Sequence, residues 1–210
     1  MTTTRWWWIR HAPVTSRKGW CYGQEDWPAD CSDVPAFAVL AQLLPRDAIW
    51  VTSNLQRTHQ TAAAIFAAGY PEMLPMLVEP ELAEQSFGDW QGRRHDELRN
   101  APDSVYTTFW LAPARHRPPG GESFVELIER VERTIERLNR SHRGRDIVAV
   151  THGGTIRAAL AVALRIDPEH ALSFAIDNLS ITRLDHFPEA SGDSGGRGLW
   201  RIAQVNQAPR

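Results

Sequence analysis

No block of one charge sign interrupts this chain: 23 basic and 25 acidic residues are interspersed and leave a formal net charge of -2. That gives no footprint for nucleic acid or an anionic membrane, so an anionic ligand has to be met by a local cluster. Cysteine is scarce as well. Cys21 and Cys31 are spaced neither as a zinc knuckle nor as a C-x-x-C redox pair, which favours a reducing compartment and leaves their pairing open. No apolar run approaches the length of a membrane span, and the four apolar residues Trp6 to Ile9 are too few for a signal-peptide core, so the expected location is the cytoplasm. His59, His95, His116, His142, His170 and His186 show no metal-ligand spacing and read as surface or capping groups. Neither an internal repeat nor a linker divides the 210 residues, which suit one domain (1–210) that buries roughly 70 % of its unfolded surface.

What is present is an alternation of two patterns. Strand-type runs fall at 5–10, 48–53, 146–151, 178–185 and 199–205, with a weaker one at 74–79. Between them, Asp33 can cap a helix with Pro35 in its first turn and Phe37, Leu40, Leu43 and Leu44 on one face. Gln56 to Ala68 is Ala-rich, and from Glu122 to His142 the positions Phe124, Leu127, Ile128, Val131, Ile135 and Leu138 recur at helical spacing. The run 146–151, the pair Gly153-Gly154 and an Ala-rich helix through Leu164 make a strand–turn–helix unit. Such units predict an α/β fold with a mostly parallel central sheet covered on both faces. The segment 80–121 has less period and more Pro, Gly, Trp and charge; it reads as an insertion that roofs a site, and 191–196 as a flexible connection between the last two strands. Trp6, Trp7 and Trp8 in succession cannot share one side of a strand, so they predict a central strand packed on both faces, with ligand stacking left to Trp20, Trp27, Trp90 and Trp110.

Two strand-type runs each end on a histidine, Arg10-His11 after the tryptophans and His152 after Val148-Ala149-Val150-Thr151. In α/β folds the carboxyl ends of strands are where ligands bind, so one pocket with both histidines is expected there. Histidine is nucleophilic near neutral pH, and a neighbouring arginine can hold a phosphate or carboxylate with two hydrogen bonds. Arg57 falls in the first turn of the helix after the second strand, where backbone N–H groups attract anions. Gly153 and Gly154 let backbone approach a ligand at another helix start. Glu84, in Leu82-Ala83-Glu84-Gln85-Ser86-Phe87-Gly88-Asp89-Trp90, has apolar and aromatic neighbours that suit a general acid of raised pKa; Glu79, Glu81 and Asp89 are rivals that spacing does not separate. Cys21 follows the first histidine and reads as a small buried hydrophobe rather than part of the site mouth.

In this order the segments resemble the histidine phosphatase superfamily, also called phosphoglycerate mutase-like: Arg10-His11, Ser53-x-Leu55-x-Arg57-x-x-Gln60-Thr61-Ala62, Leu82-x-Glu84 with Phe87-Gly88-Asp89-Trp90-x-Gly92, Pro119-Gly120-Gly121-Glu122-Ser123, and Thr151-His152-Gly153-Gly154-x-Ile156-Arg157. The resemblance implies a three-layer α/β/α sandwich. It makes His11 the phosphorylated nucleophile, Arg10, Arg57 and His152 the phosphate pocket with Gly153 beside them, and Glu84 the proton donor. Two arginines and a protonated His152 would then supply positive charge without a metal or other cofactor. The chain departs from the family at Ala12-Pro13, where Gly-Glu is common, at Gln91 in place of a glutamate, and at Ser16 or Arg17 where an asparagine is frequent.

The length favours a phosphatase over a cofactor-dependent mutase, which resemblance would give an added segment. Cys21-Tyr22-Gly23-Gln24-Glu25-Asp26-x-Pro28 looks like the loop of α-ribazole phosphatases, which act in assembling the lower ligand of cobalamin; on that likeness Tyr22 and Gly23 would contact substrate. The expected partner is a small phosphorylated metabolite, with no nucleic acid and no membrane, bound by a monomer or homodimer. A broad-specificity phosphatase, a phosphoglycerate mutase and a phosphate-binding module without turnover are the alternatives.

Overall fold

A computed structural model describes residues 2–71, 75–101, 106, 114–188 and 198–210. In chain order its elements are β1 (Thr4–Arg10), β2 (Trp20–Cys21), α1 (Val34–Leu43), β3 (Ile49–Thr52), α2 (Gln56–Ala67), β4 (Leu77–Val78), β5 (Arg93–Arg94), α3 (His95–Asn100), α4 (Phe124–Ser141), β6 (Asp146–Thr151), α5 (Gly153–Leu164), α6 (Pro168–Ala171), β7 (Ile181–Phe187) and β8 (Leu199–Gln207). Six strands form the main sheet in the order β4-β3-β6-β1-β7-β8. The first four run parallel, whereas β7 is antiparallel to both β1 and β8.

The alternation within strands explains the layers. In β6, Ile147 and Ala149 face one way and Val148 and Val150 the other, all fully buried, as a strand covered on both faces requires. Phe37 and Leu40 of α1 and Ile65 of α2 pack with Ile9, Trp50, Val148 and Val150. Leu127, Val131 and Ile135 of α4 and Ile156 and Leu160 of α5 pack with Trp6, Trp8, Ile147 and Ala149 on the opposite face. Trp6 and Trp8 stack with centroids 4.7 Å apart, while the partly buried Trp7 faces the α1/α2 layer. The three layers and the mostly parallel sheet are therefore those expected. Asp33 caps α1 as predicted, accepting from the Ala36 N–H at 3.2 Å.

The order of strands creates the pocket. β1 and β6 are parallel neighbours, yet the chain leaves β1 for α1 on one face and leaves β6 for α5 on the other. This is a topological switch point, where the two connections diverge and open a crevice beyond the strand ends. Arg10 stands opposite Thr151 in the register, so the next residues, His11 and His152, flank that crevice.

Several boundaries differ from expectation. β7 begins at Ile181 rather than residue 178, because residues 177–180 turn, with Leu179 in a left-handed conformation (φ 61°). β4 is only two residues long, and the expected connection at 191–196 lies outside the described residues. Residues 80–101 supply no strand to the main sheet; β5 instead pairs with β2 in a two-stranded sheet, tying this segment to the loop after His11. Cys21, Trp90, Leu98 and Tyr106 pack beneath it, which gives Cys21 the role of a buried hydrophobe and makes Trp90 a packing residue rather than a stacking platform. Trp110 is outside the described residues. His186, expected at the surface, is buried in β7 against Trp200. His95 is also engaged, with Nδ1 2.5 Å from the Tyr106 hydroxyl. Among the described residues no helix is long and apolar enough to cross a membrane.

Candidate active site

The end of β1 fixes His11 from both sides. Its N–H donates to the Thr151 carbonyl (2.9 Å) of β6, and its carbonyl accepts from Asn178 Nδ2 (2.7 Å). The ring is buried, with Nδ1 2.7 Å from the Ala12 carbonyl oxygen. A carbonyl only accepts, so Nδ1 carries the proton and Nε2 is left with its lone pair. Burial, then the Arg57 charge, hold the His11 pKa well below the ordinary 6.5, against a smaller opposing effect of the Ala12 carbonyl. The ring is therefore neutral near neutral pH.

His152 lies across the crevice, its ring centroid 5.1 Å from that of His11. Arg57 Nε donates to His152 Nδ1 at 3.3 Å, and His152 Nε2 is 2.8 Å from Ser53 Oγ. An Nδ1 that accepts from a guanidinium is unprotonated, so the single ring proton sits on Nε2 and is donated to Ser53. Burial, Arg57 and His11 all lower the His152 pKa well below 6.5. The expectation of a protonated His152 is corrected accordingly: the pocket's positive charge belongs to the arginines, because a second buried cation against Arg57 would be both desolvated and repelled.

Arg57, at the second position of α2, is fully buried. Its remaining nitrogens donate to the carbonyls of Glu25 (2.8 Å) and Gly23 (2.7 Å), so one guanidinium joins His152 to the loop after His11. Arg10 donates through Nη1 to the Ile176 carbonyl, while its Nε is buried with no partner. A Cβ on Gly153 would lie 3.5 Å from that Nε, which puts the orphaned donor at the start of α5. Unpaired buried donors are rare, and one beside a helix N-terminus is matched to an anion. Tyr22, expected to face the rest of the substrate, has its ring 5.4 Å from the Arg57 guanidinium. Burial raises its phenol pKa.

Glu84 projects from the other wall. Its Oε1 accepts from the N–H of Gly154 (3.0 Å) and of Gln85 (3.0 Å). The carboxylate thus meets backbone donors at the start of α5, not the apolar surroundings its sequence neighbours suggest. A Cβ on Gly154 would stand 2.4 Å from Oε1, so this contact requires glycine. The rival carboxylates are separated by the fold: Glu79 pairs with Arg137 (2.6 Å) and Glu81 with Arg133 (3.7 Å), while Asp89 lies against Gly120.

The structure thus gathers His11, His152, Arg10, Arg57, Gly153, Glu84, Tyr22 and Gly23 around one crevice. Sequence reasoning missed Ser53 as the partner of His152, Thr61, whose hydroxyl accepts from the Ala12 N–H (2.9 Å), and Asn178. The Asp177-Asn178 pair is the turn signal that could locate Asn178, since the strand begins only at Ile181. Among the described residues no cluster of three or more His, Cys, Asp or Glu side chains could hold a metal ion.

Comparison with known proteins places this geometry in context. The family model for the histidine phosphatase superfamily (branch 1) matches residues 6–191. The adenosylcobalamin/alpha-ribazole phosphatase of Escherichia coli K12 is 29 % identical over 156 residues, covering 74 % of this chain and just under two thirds (66 %) of that relative. A glucosyl-3-phosphoglycerate phosphatase of Mycolicibacterium vanbaalenii is 31 % identical over 179 residues, 80 % of this chain and 77 % of the relative. Among solved structures, one described as mycobacterial hydrolase 2 superposes with a TM-score of 0.84 at 26 % identity, covering 99 % of this chain and 92 % of the other.

Proposed function

The chain belongs to the histidine phosphatase superfamily, and from that premise we propose that it is a phosphatase that hydrolyses a phosphomonoester through a phosphohistidine on His11. The observation that carries this reading is the His11 ring, whose Nδ1 is committed to the Ala12 carbonyl, so that Nε2 is the free lone pair beside two arginines. Nε2 attacks phosphorus, and the P–O bond to the leaving alcohol breaks as Glu84, in its acid form, hands that oxygen a proton. Water then attacks phosphorus and passes a proton back to the Glu84 carboxylate as the P–N bond breaks, releasing phosphate and neutral His11.

Arg10 Nε and the N-terminus of α5 serve the equatorial oxygens, supplying fixed charge where it develops. Arg57 keeps His152 neutral and oriented while contributing its own charge. The decisive experiment is brief incubation with labelled substrate followed by mapping of acid-labile phosphate: label is expected on His11 and absent from His11→Ala, which should have no turnover. Label on another residue would reject the assignment. In the same preparation, Glu84→Gln should cost about 10²–10⁴-fold on alkyl phosphates and much less on p-nitrophenyl phosphate, whose leaving group needs little protonation.

For the substrate, the loop Cys21 to Pro28 and the likeness to an alpha-ribazole phosphatase support α-ribazole 5′-phosphate, a compound of cobalamin assembly. The likeness of similar strength to a glucosyl-3-phosphoglycerate phosphatase favours a polar sugar acid as the second reading. A kcat/KM panel with both compounds, 3-phosphoglycerate and p-nitrophenyl phosphate separates them, and a flat panel would mark a broad-specificity enzyme. The insertion 80–121, whose described residues 80–101 bring Glu84 to the crevice, acts in this proposal as the site's roof within one domain, and a small phosphorylated metabolite is the only partner invoked.

A further inference from the structure

Glu84 is gripped at both ends, and the grip on its backbone comes from a residue outside the crevice. Arg130 lies in the second turn of α4 with its side chain only 11 % exposed. Its Nη2 donates to the Glu84 carbonyl (3.0 Å) and to Glu122 Oε1 (2.7 Å), its Nε donates to Glu122 Oε2 (3.0 Å), and its Nη1 donates to the Glu81 carbonyl. Glu122 completes the clamp: Oε1 accepts from the Ser86 N–H (2.8 Å), and its carbonyl accepts from Gln85 Nε2 (2.9 Å). Gly121 permits this closeness, since a Cβ there would fall 2.5 Å from the Ser86 carbonyl. A second donor to the Glu84 carbonyl, Gln24 Nε2 (2.8 Å), comes from the loop after the nucleophile.

We infer that Arg130, paired with Glu122, is a positioning residue that sets the reach of the Glu84 carboxyl to the leaving oxygen; this rests on Glu84 being the proton donor. Residues 83–87 have no regular secondary structure of their own, so nothing local fixes the Glu84 backbone. The planar fork of Arg130 meets four acceptors on three residues, a pattern that an ammonium with three donors on one point does not reproduce. Misplacement by about 1 Å of a group that must transfer a proton costs up to about 10²-fold in rate. A purely structural ion pair would weaken the fold and lower every substrate alike.

The test is the dependence of kcat on leaving-group acidity for Arg130→Lys, Glu84→Gln and the double variant, with inorganic phosphate inhibition as the control for the pocket. Arg130→Lys is expected to lose about 10- to 100-fold on alkyl phosphates, to lose far less on p-nitrophenyl phosphate, and to leave phosphate inhibition unchanged. The double variant should be no slower on alkyl phosphates than Glu84→Gln alone, because both changes remove one function. Equal losses on all substrates for Arg130→Lys, alongside a selective loss for Glu84→Gln, would overturn the inference and leave the proton donor standing. Equal losses for Glu84→Gln itself would remove the donor assignment and the inference with it. If Arg130→Lys fails to fold, Glu122→Gln, which turns one of the two oxygens that accept from Arg130 into an amide donor, is measured in the same way and decides between the same outcomes.

Discussion

Two fully buried neutral imidazoles, His11 and His152, give this protein a pH dependence of stability as well as of rate. Both have folded pKa values held well below 6.5, chiefly by burial and then by Arg57, whereas the unfolded chain titrates near that value. Between 6.5 and the lowered values the unfolded state binds more protons, so stability rises with pH across that window and is lost on acidification. Each ring contributes a slope of about 1.4 kcal/mol per pH unit there. Urea titrations at pH 7.5 and 5.5 should show this loss, and His152→Gln should flatten it. For turnover under the proposed mechanism, neutral His11 persists below pH 6.5, so any acid limb due to this ring lies on the acid side of an ordinary histidine. Nitrogen-15 spectra of histidine-labelled protein provide the direct check: neutral-tautomer signals for both rings at pH 6.5 are expected, and half-protonated ones would contradict the burial argument.

At the scale of elements, the start of α5 divides two tasks between adjacent glycines. A methyl at Gly153 would find Arg10 and Arg157 no closer than 3.5 Å, an ordinary contact, whereas at Gly154 it would collide with the Glu84 carboxylate. Gly153→Ala should therefore fold well and weaken phosphate inhibition by crowding the pocket. Gly154→Ala should instead depress kcat on alkyl phosphates by about 10²-fold with phosphate inhibition retained; a reversed pattern would show that the two roles have been exchanged.

That the helix would start there was legible in the sequence, because a buried run followed by Gly-Gly and alanines leaves few alternatives. The same holds for α4, where Leu127, Val131, Ile135 and Leu138 line one face, and for β1 and β6, whose terminal histidines converge through their register. What was not legible was held by backbone atoms. The partners of Arg57 include two carbonyls of a loop, those of Arg130 the carbonyls of Glu81 and Glu84, and Asn178 reaches the carbonyl of His11 from a turn with a left-handed leucine. Side-chain pattern carries no record of where carbonyls point. The charge state of His152 is hidden from the sequence for a related reason: it depends on which nitrogen faces Arg57, a matter of orientation rather than composition.

The whole molecule is organised about β1, and its stacked tryptophans anchor one face of the sheet to α4 and α5. Trp6→Ala removes a side chain with no exposed surface from the middle of that layer and should cost about 3–5 kcal/mol. Trp7→Ala, on a partly exposed ring, should cost visibly less in the same denaturant titration. Comparable losses would mean that the two faces of the sheet are not distinguished as the packing indicates.

The central place of β1 also sets a schedule for biosynthesis. β1 precedes its two neighbours in the sheet by most of the chain given, since β6 and β7 begin at residues 146 and 181. At about 5–20 residues per second, a strand carrying three tryptophans and an isoleucine waits on the order of ten seconds with both edges unpaired. His11 waits with it, since the carbonyl of Thr151 and the amide of Asn178 that fix its backbone belong to β6 and to the turn before β7. The nascent chain therefore carries a long-lived sticky segment, and the crevice at the end of β1 stays unassembled until β6 and the turn at 177–180 have been made. Chaperone occupancy on stalled chains should peak before residue 146 has emerged and fall once β7 is out.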